Sequence, residues 1–246
     1  MSGVSMNEFI YMIGDCLLLV LLLLSIRCMT KEKKFGRRER KYLLYSFVAL
    51  LVSLSLSGLQ IYLLPAHPMP QLVMVFFIII YVLFIERRGL KSLGISSRDL
   101  GESAIAGLVV GMAVFLYSAI TVIMFYRNVD LSDAFVYLAH NLNLTPWSFL
   151  HYVYIGFSEE MIFRGFLQRR FLESMKPAYA ILSLALLFSF AHIFGYGVSL
   201  ESVYQCAQKI LVSLIFGYLM YRTDNILSVG IVHTVANFVK LIGGLP

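Results

Sequence analysis

The stretch Ser158-Glu159-Glu160-Met161-Ile162-Phe163-Arg164-Gly165 puts three ionisable side chains into a run, residues 147–171, that is otherwise apolar enough to lie in a bilayer. A charge at the bilayer centre costs about 2.5–3.5 kcal/mol on insertion scales, which makes intramembrane carboxylates candidates for function. On a helix Glu160 and Arg164 are i,i+4 neighbours and can pair. Glu159 is rotated from Glu160 by about 100°. One glutamate can therefore be tied to the arginine while the other faces a different partner.

Two later apolar runs supply candidates for that partner. Phe188-Ser189-Phe190-Ala191-His192 sets a phenylalanine and a histidine one turn apart, and His233-Thr234-Val235-Ala236-Asn237 does the same for a histidine and an asparagine. Polar groups at membrane depth face a bundle interior or a water-filled cavity and tend to find one another. The simplest packing collects Glu159, Glu160, His192, His233 and Asn237 into one polar pocket.

A carboxylate and a histidine around one water make a general-base pair. A histidine and an asparagine on a facing helix can donate hydrogen bonds to a developing oxyanion. Together they suffice to hydrolyse an amide bond without a covalent intermediate. No serine or cysteine stands beside these histidines at a readable spacing. A divalent metal such as zinc would take Glu159, His192 and His233, but the HExxH helix pattern is absent and no cofactor is expected.

Plainer roles compete with each of these. Glu160 with Arg164 can be a structural clamp, and His233 with Asn237 can be interhelical glue at about 0.6 kcal/mol per contact. His67, His140 and His151 fall in or near loops and carry no role. Lys240 snorkels to the interface, and Trp147 with the tyrosines near run ends reads as an aromatic belt.

The elements that must position these residues follow from composition. The chain has 246 residues, of which 59% are hydrophobic and 14% charged, with a mean hydropathy of +0.81. Soluble domains are about 45–50% apolar, so an all-α, polytopic membrane protein is expected. The net charge of +6 then reflects basic cytoplasmic loops, not a nucleic-acid partner. Cys16, Cys28 and Cys206 show neither paired nor CxxC spacing, which supports no disulfide framework or thiolate metal site.

Spanning helices need about 20 apolar residues, and about eight runs qualify: 9–29, 42–64, the short 71–85, 104–126, 147–171, 177–194, 203–221 and 226–242. The first has Glu8 and no basic residue before it, so it is not read as a signal peptide. A short interfacial helix is expected within 127–146, a loop at Gly195-Tyr196-Gly197 and a tight turn at 222–225. Loops after the first, third and fifth runs are basic, and those after the second, fourth and sixth nearly free of lysine and arginine. The positive-inside rule puts the basic loops in the cytoplasm and both termini outside. The loop 27–41 is read as a topology signal, with anionic lipids as a further partner. The chain reads as one domain, 1–246, with a core at about 147–239. A transporter would show inverted repeats and helices broken at the midplane; no repeat is seen, and Gly156 is the one candidate break.

Glu159-Glu160-xxx-Arg164, Phe188-xxx-His192 and His233-xxx-Asn237, in that order on late helices, resemble the CPBP family of intramembrane proteases, which includes CAAX prenyl endopeptidases and bacterial Abi proteins. The resemblance implies that Glu159 and His192 activate a water, that Glu160 and Arg164 support the site, and that His233 and Asn237 stabilise the oxyanion. It implies a multi-pass protein, expected in a bacterial plasma membrane, acting on a membrane-associated peptide or protein. The same family holds self-immunity proteins and scaffolds, so a non-catalytic membrane scaffold is the alternative.

Overall fold

The computed structural model describes residues 70–127, 130–196 and 200–242. The expected runs 9–29 and 42–64, and the basic loop 27–41, lie outside them. Among the described residues the chain is helical, and the only β feature is a single bridge between Leu142 and Ile242.

Helix α1 (Pro70–Ile80) passes into a π turn at Tyr81–Ile85, and a 3₁₀ turn at Leu90–Leu93 leads to α2 (Leu100–Arg127). Next come α3 (Leu131–Asn141), α4 (Pro146–Glu160), a π segment at Met161–Gln168 and α5 (Arg169–Ser174). The chain continues with α6 (Pro177–Tyr196), α7 (Leu200–Thr223), α8 (Ile226–Asn237) and a 3₁₀ turn at Phe238–Leu241. The short third run is thus helical, and α3 stands where an interfacial helix is expected. At 11 residues α3 is about 16 Å long, too short to cross a bilayer.

Three boundaries differ from the sequence reading. Gly195 and Tyr196 belong to α6 instead of a loop. The last run stops being α-helical at Asn237 and ends in a tighter turn. Gly156 does not break α4, and the departure from α geometry begins later, at Met161. Among the described residues one helix, Leu100–Ile120, is long and apolar enough to cross a membrane. Gln71–Ile85, Pro177–Ser189 and Ile226–Leu241 are apolar but shorter.

The described residues form two compact units, 70–166 with 222–242, and 167–221. In the first, α2 carries two faces. Ile105, Leu108, Val109 and Met112 follow an i, i+3, i+4, i+7 stripe and are exposed, as a lipid-facing stripe would be. The opposite face holds Gly107 and Gly111, which let α2 lie directly on α8. A Cβ on Gly107 would stand 2.6 Å from Ser228 O, and one on Gly111 would stand 3.2 Å from Val232 Cα. This is the small-xxx-small packing of membrane helices, where close backbone approach replaces hydrophobic drive. Beyond it lies an apolar cluster of Phe115, Ala119, Ile123, Leu138, Val235 and Ile242. The Leu142–Ile242 bridge and the bond from Asn143 N to Leu241 O, 3.0 Å, fasten the start of the α4 segment to the end of the last helix.

Because the Gly107 contact is with backbone, it cannot be relieved by a rotamer change. Gly107→Ala is expected to lower stability by about 1–3 kcal/mol, as overpacking does. Thermal unfolding in detergent checks this, and an unchanged melting temperature would speak against the α2–α8 contact.

In the second unit Phe171, Leu184, Ala185 and Phe216 are buried. Gln168 Nε2 donates to Gly217 O at 2.7 Å, and a Cβ on Gly217 would stand 2.8 Å from Ile181 Cγ2.

Candidate active site

Both helices of the site begin at well-made caps. Thr145 and Ser148 form a reciprocal capping box ahead of α4, with Pro146 at the first helical position, where its missing N–H costs nothing. Asn225 caps α8, its side chain accepting from Leu227 N at 3.1 Å. Gly156 sets the crossing. A Cβ there would stand 2.8 Å from Thr234 Oγ1 and 2.9 Å from Thr234 N, so α4 and α8 touch through backbone. Thr234 Oγ1 donates to Gly230 O at 2.8 Å, which satisfies the hydroxyl inside its own helix.

This crossing brings the last turn of α4 against the middle of α8. Glu160 Oε1 accepts from Arg164 Nη1 at 3.0 Å and meets His233 Nδ1 at 2.7 Å. Glu160 and Arg164 are both 0% exposed, and His233 is buried. A carboxylate that holds a guanidinium serves as an acceptor. His233 Nδ1 is therefore the donor, and the imidazole is oriented by Glu160 much as a triad carboxylate orients its histidine. His233 Nε2 points towards Glu159, whose Oε2 lies 3.7 Å away. That is longer than a hydrogen bond, and the Glu159 side chain keeps 20% of its surface exposed. The two glutamates thus differ as their rotation about the helix requires. Glu160 is locked into a buried network, and Glu159 is the accessible one.

The π segment starts at the residue after Glu160. Single π turns in α-helices gather at functional sites. One turn beyond His233, Asn237 Nδ2 is buried with no hydrogen-bond partner among the described residues, and Glu160 Oε2 is likewise without one. A buried polar atom left unsatisfied costs about 1–3 kcal/mol, so its retention calls for an explanation. A buried amide N–H is suited to an oxyanion that appears only during a reaction.

The structure therefore brings Glu159, Glu160, Arg164 and His233 together and places Asn237 on the same helix as His233. Phe188 is buried in the second unit, on α6. His192 lies on that same helix, with its side chain outside the described set. Gly156 and Thr234, which decide how closely the two site helices approach, were not read as site residues from sequence. Their signal is faint: a glycine in the middle of one apolar run and a threonine next to a motif histidine in another.

Residues 141–239 match the family model of type II CAAX prenyl endopeptidase Rce1-like proteins. That stretch is similar to an Rce1-like domain. It spans α4 to α8 and contains every residue of the three motifs, and it agrees with the resemblance read from the sequence. Rce1-like domains are those of membrane-embedded CAAX-type proteases in general. Neither the curated proteins nor the solved structures offer a match to the chain.

Proposed function

We propose that this protein is an intramembrane endopeptidase that hydrolyses a peptide bond in a membrane-associated peptide or protein through a glutamate-activated water. The observation that carries the reading is the asymmetry of the two glutamates: Glu160 is buried and bound to Arg164 and His233, while Glu159 is partly exposed beside His233 Nε2. In this account Glu159 takes the proton from the attacking water. Asn237, with its buried donor, stabilises the oxyanion, and the family resemblance adds His233, held by Glu160 through Nδ1, which donates from Nε2 once that nitrogen is protonated. The family resemblance adds His192 as the second group on the water and Phe188 as a supporting residue. Water itself adds to the scissile carbonyl carbon, so no covalent acyl intermediate forms, and the C–N bond breaks as the nitrogen leaves with the proton that Glu159 took.

The wider setting belongs to the same proposal. The chain crosses the membrane about eight times, in a bacterial plasma membrane, with both termini outside and its basic loops in the cytoplasm. Its partners are membrane lipids and a membrane-associated substrate, and a prenylated cysteine in that substrate is one option.

A metal would have Glu159 Oε2 and His233 Nε2 as donors, but among the described residues no group of three His, Cys, Asp or Glu is arranged to hold one. The third member of the set named from sequence, His192, has its side chain outside the described residues, and no step is routed through a metal. In the water-activated account cleavage is expected to survive treatment with a strong zinc chelator. Activity lost to the chelator and restored by zinc would make Glu159 and His233 ligands instead.

The protein purified into lipid vesicles tests the function itself. It would be offered single-span peptides and peptides ending in a prenylated cysteine, with new termini read by mass spectrometry. Cleavage of either class by wild type and not by His192→Ala supports the reading. If no peptide is cut by any form, the scaffold alternative takes its place.

A further inference from the structure

The groups assigned to the chemistry stand on two helices, and one short loop touches both. Between α1 and α2, the carbonyl of Leu93 packs on the π segment: a Cβ on Gly165 would stand 2.7 Å from Leu93 O. The next residue turns to the other helix, where Gly94 O accepts from Ile226 N at 2.9 Å. Ser96 O and Arg98 O then accept from Asn225 Nδ2 at 3.3 and 3.0 Å. Asn225 is only 2% exposed, and its Oδ1 caps α8 at the same time. The loop and its flanks bend through positive φ at Arg87 (55°), Gly94 (78°) and Asp99 (51°). For the two that are not glycine this conformation is strained and persists only where surrounding structure over-determines it. Such strain gathers at functional sites.

Glu160 lies five residues before Gly165, and His233 seven residues after Ile226. The loop therefore grips each helix within about two turns of the Glu160–His233 contact. We infer that residues 93–98 are a brace that sets the separation of Glu160 and His233, and that Asn225 is a positioning residue as well as a helix cap. The consequence for catalysis rests on the protease reading, whereas the brace is a matter of geometry and is tested apart from it.

Aspartate caps helices as well as asparagine does, but an ionised aspartate has no donor for the carbonyls of Ser96 and Arg98. Asn225→Asp thus keeps the cap and removes the two side-chain bonds by which Asn225 holds the brace. The full chain, labelled with ¹⁵N-histidine and held in lipid vesicles, would be followed by solid-state NMR, with the His233 signal assigned by its loss in His233→Gln. The His233 Nδ1 resonance is expected to move in Asn225→Asp while those of His140 and His151 stay in place. Peptide cleavage by the same sample is expected to lose roughly tenfold to a hundredfold in kcat, with KM within about twofold, since a 1 Å displacement can cost about a hundredfold. An unmoved His233 signal in folded Asn225→Asp overturns the brace. Should that variant not accumulate, Gly165→Ala pushes the same loop from the other helix and carries the same expectation and the same refutation. A wild type that cuts nothing, yet shows the His233 shift on Asn225→Asp, would sink the protease reading and leave the brace standing.

Discussion

Glu159→Gln is expected to lower peptide cleavage by about 10²- to 10⁴-fold, the range a positioned general base contributes, with protein levels in the membrane unchanged. The substitution is nearly isosteric and replaces an acceptor that can take a proton by an amide that cannot. Stability should hold because Glu159 stands outside the buried ion pair: His233 Nε2 lies 3.7 Å from its carboxylate, and part of its side chain is exposed. No buried cation loses its partner. Activity of purified wild type and variant on one substrate, with detergent melting curves alongside, checks both halves. A variant that cuts at the wild-type rate would remove Glu159 from the chemistry.

Glu160 gives the opposite pattern. Glu160→Ala leaves the fully buried Arg164 without its carboxylate and His233 Nδ1 without its acceptor. Breaking a buried pair from one side costs about 3–5 kcal/mol, because the remaining charge stays out of water. We expect this single variant to accumulate poorly and to melt well below wild type. Replacing both partners by apolar residues of similar volume is often neutral for stability. The double variant Glu160→Leu/Arg164→Met should therefore recover much of the lost stability while remaining inactive, since His233 is no longer oriented. If the double variant is as unstable as the single one, burial of the Arg164 charge is not what the glutamate offsets. If it is active, Glu160 does not orient His233.

The two glutamates show what could be read from sequence and what could not. Their adjacency and the i,i+4 spacing to Arg164 were enough to expect one locked and one available carboxylate, because helix periodicity is a local property. The pairing of Glu160 with His233 spans 73 positions and depends on the depth at which α8 meets α4. That depth is set by Gly156, Gly107 and Gly111, whose missing side chains leave only a weak trace in composition. Among the described residues the helices follow the apolar runs, with differences at ends such as Gly195 and Phe238 and inside the fifth run, where the π segment interrupts the α-helix. The π segment was not legible. Met161 to Gln168 has nothing in its residue types that marks it off from α-helix. The Leu93–Asn225 brace was invisible for a related reason, since its bonds are mostly to backbone carbonyls, which every residue carries alike.

The most direct test compares membranes carrying wild type, Glu159→Ala and His192→Ala by mass spectrometry of small membrane-associated peptides, with the three proteins present in equal amount. The account predicts at least one peptide whose processing occurs in wild type and vanishes in both variants, and that peptide names the substrate. Identical peptide profiles from all three would contradict it, leaving the buried Glu160–Arg164–His233 network as a structural feature of a scaffold.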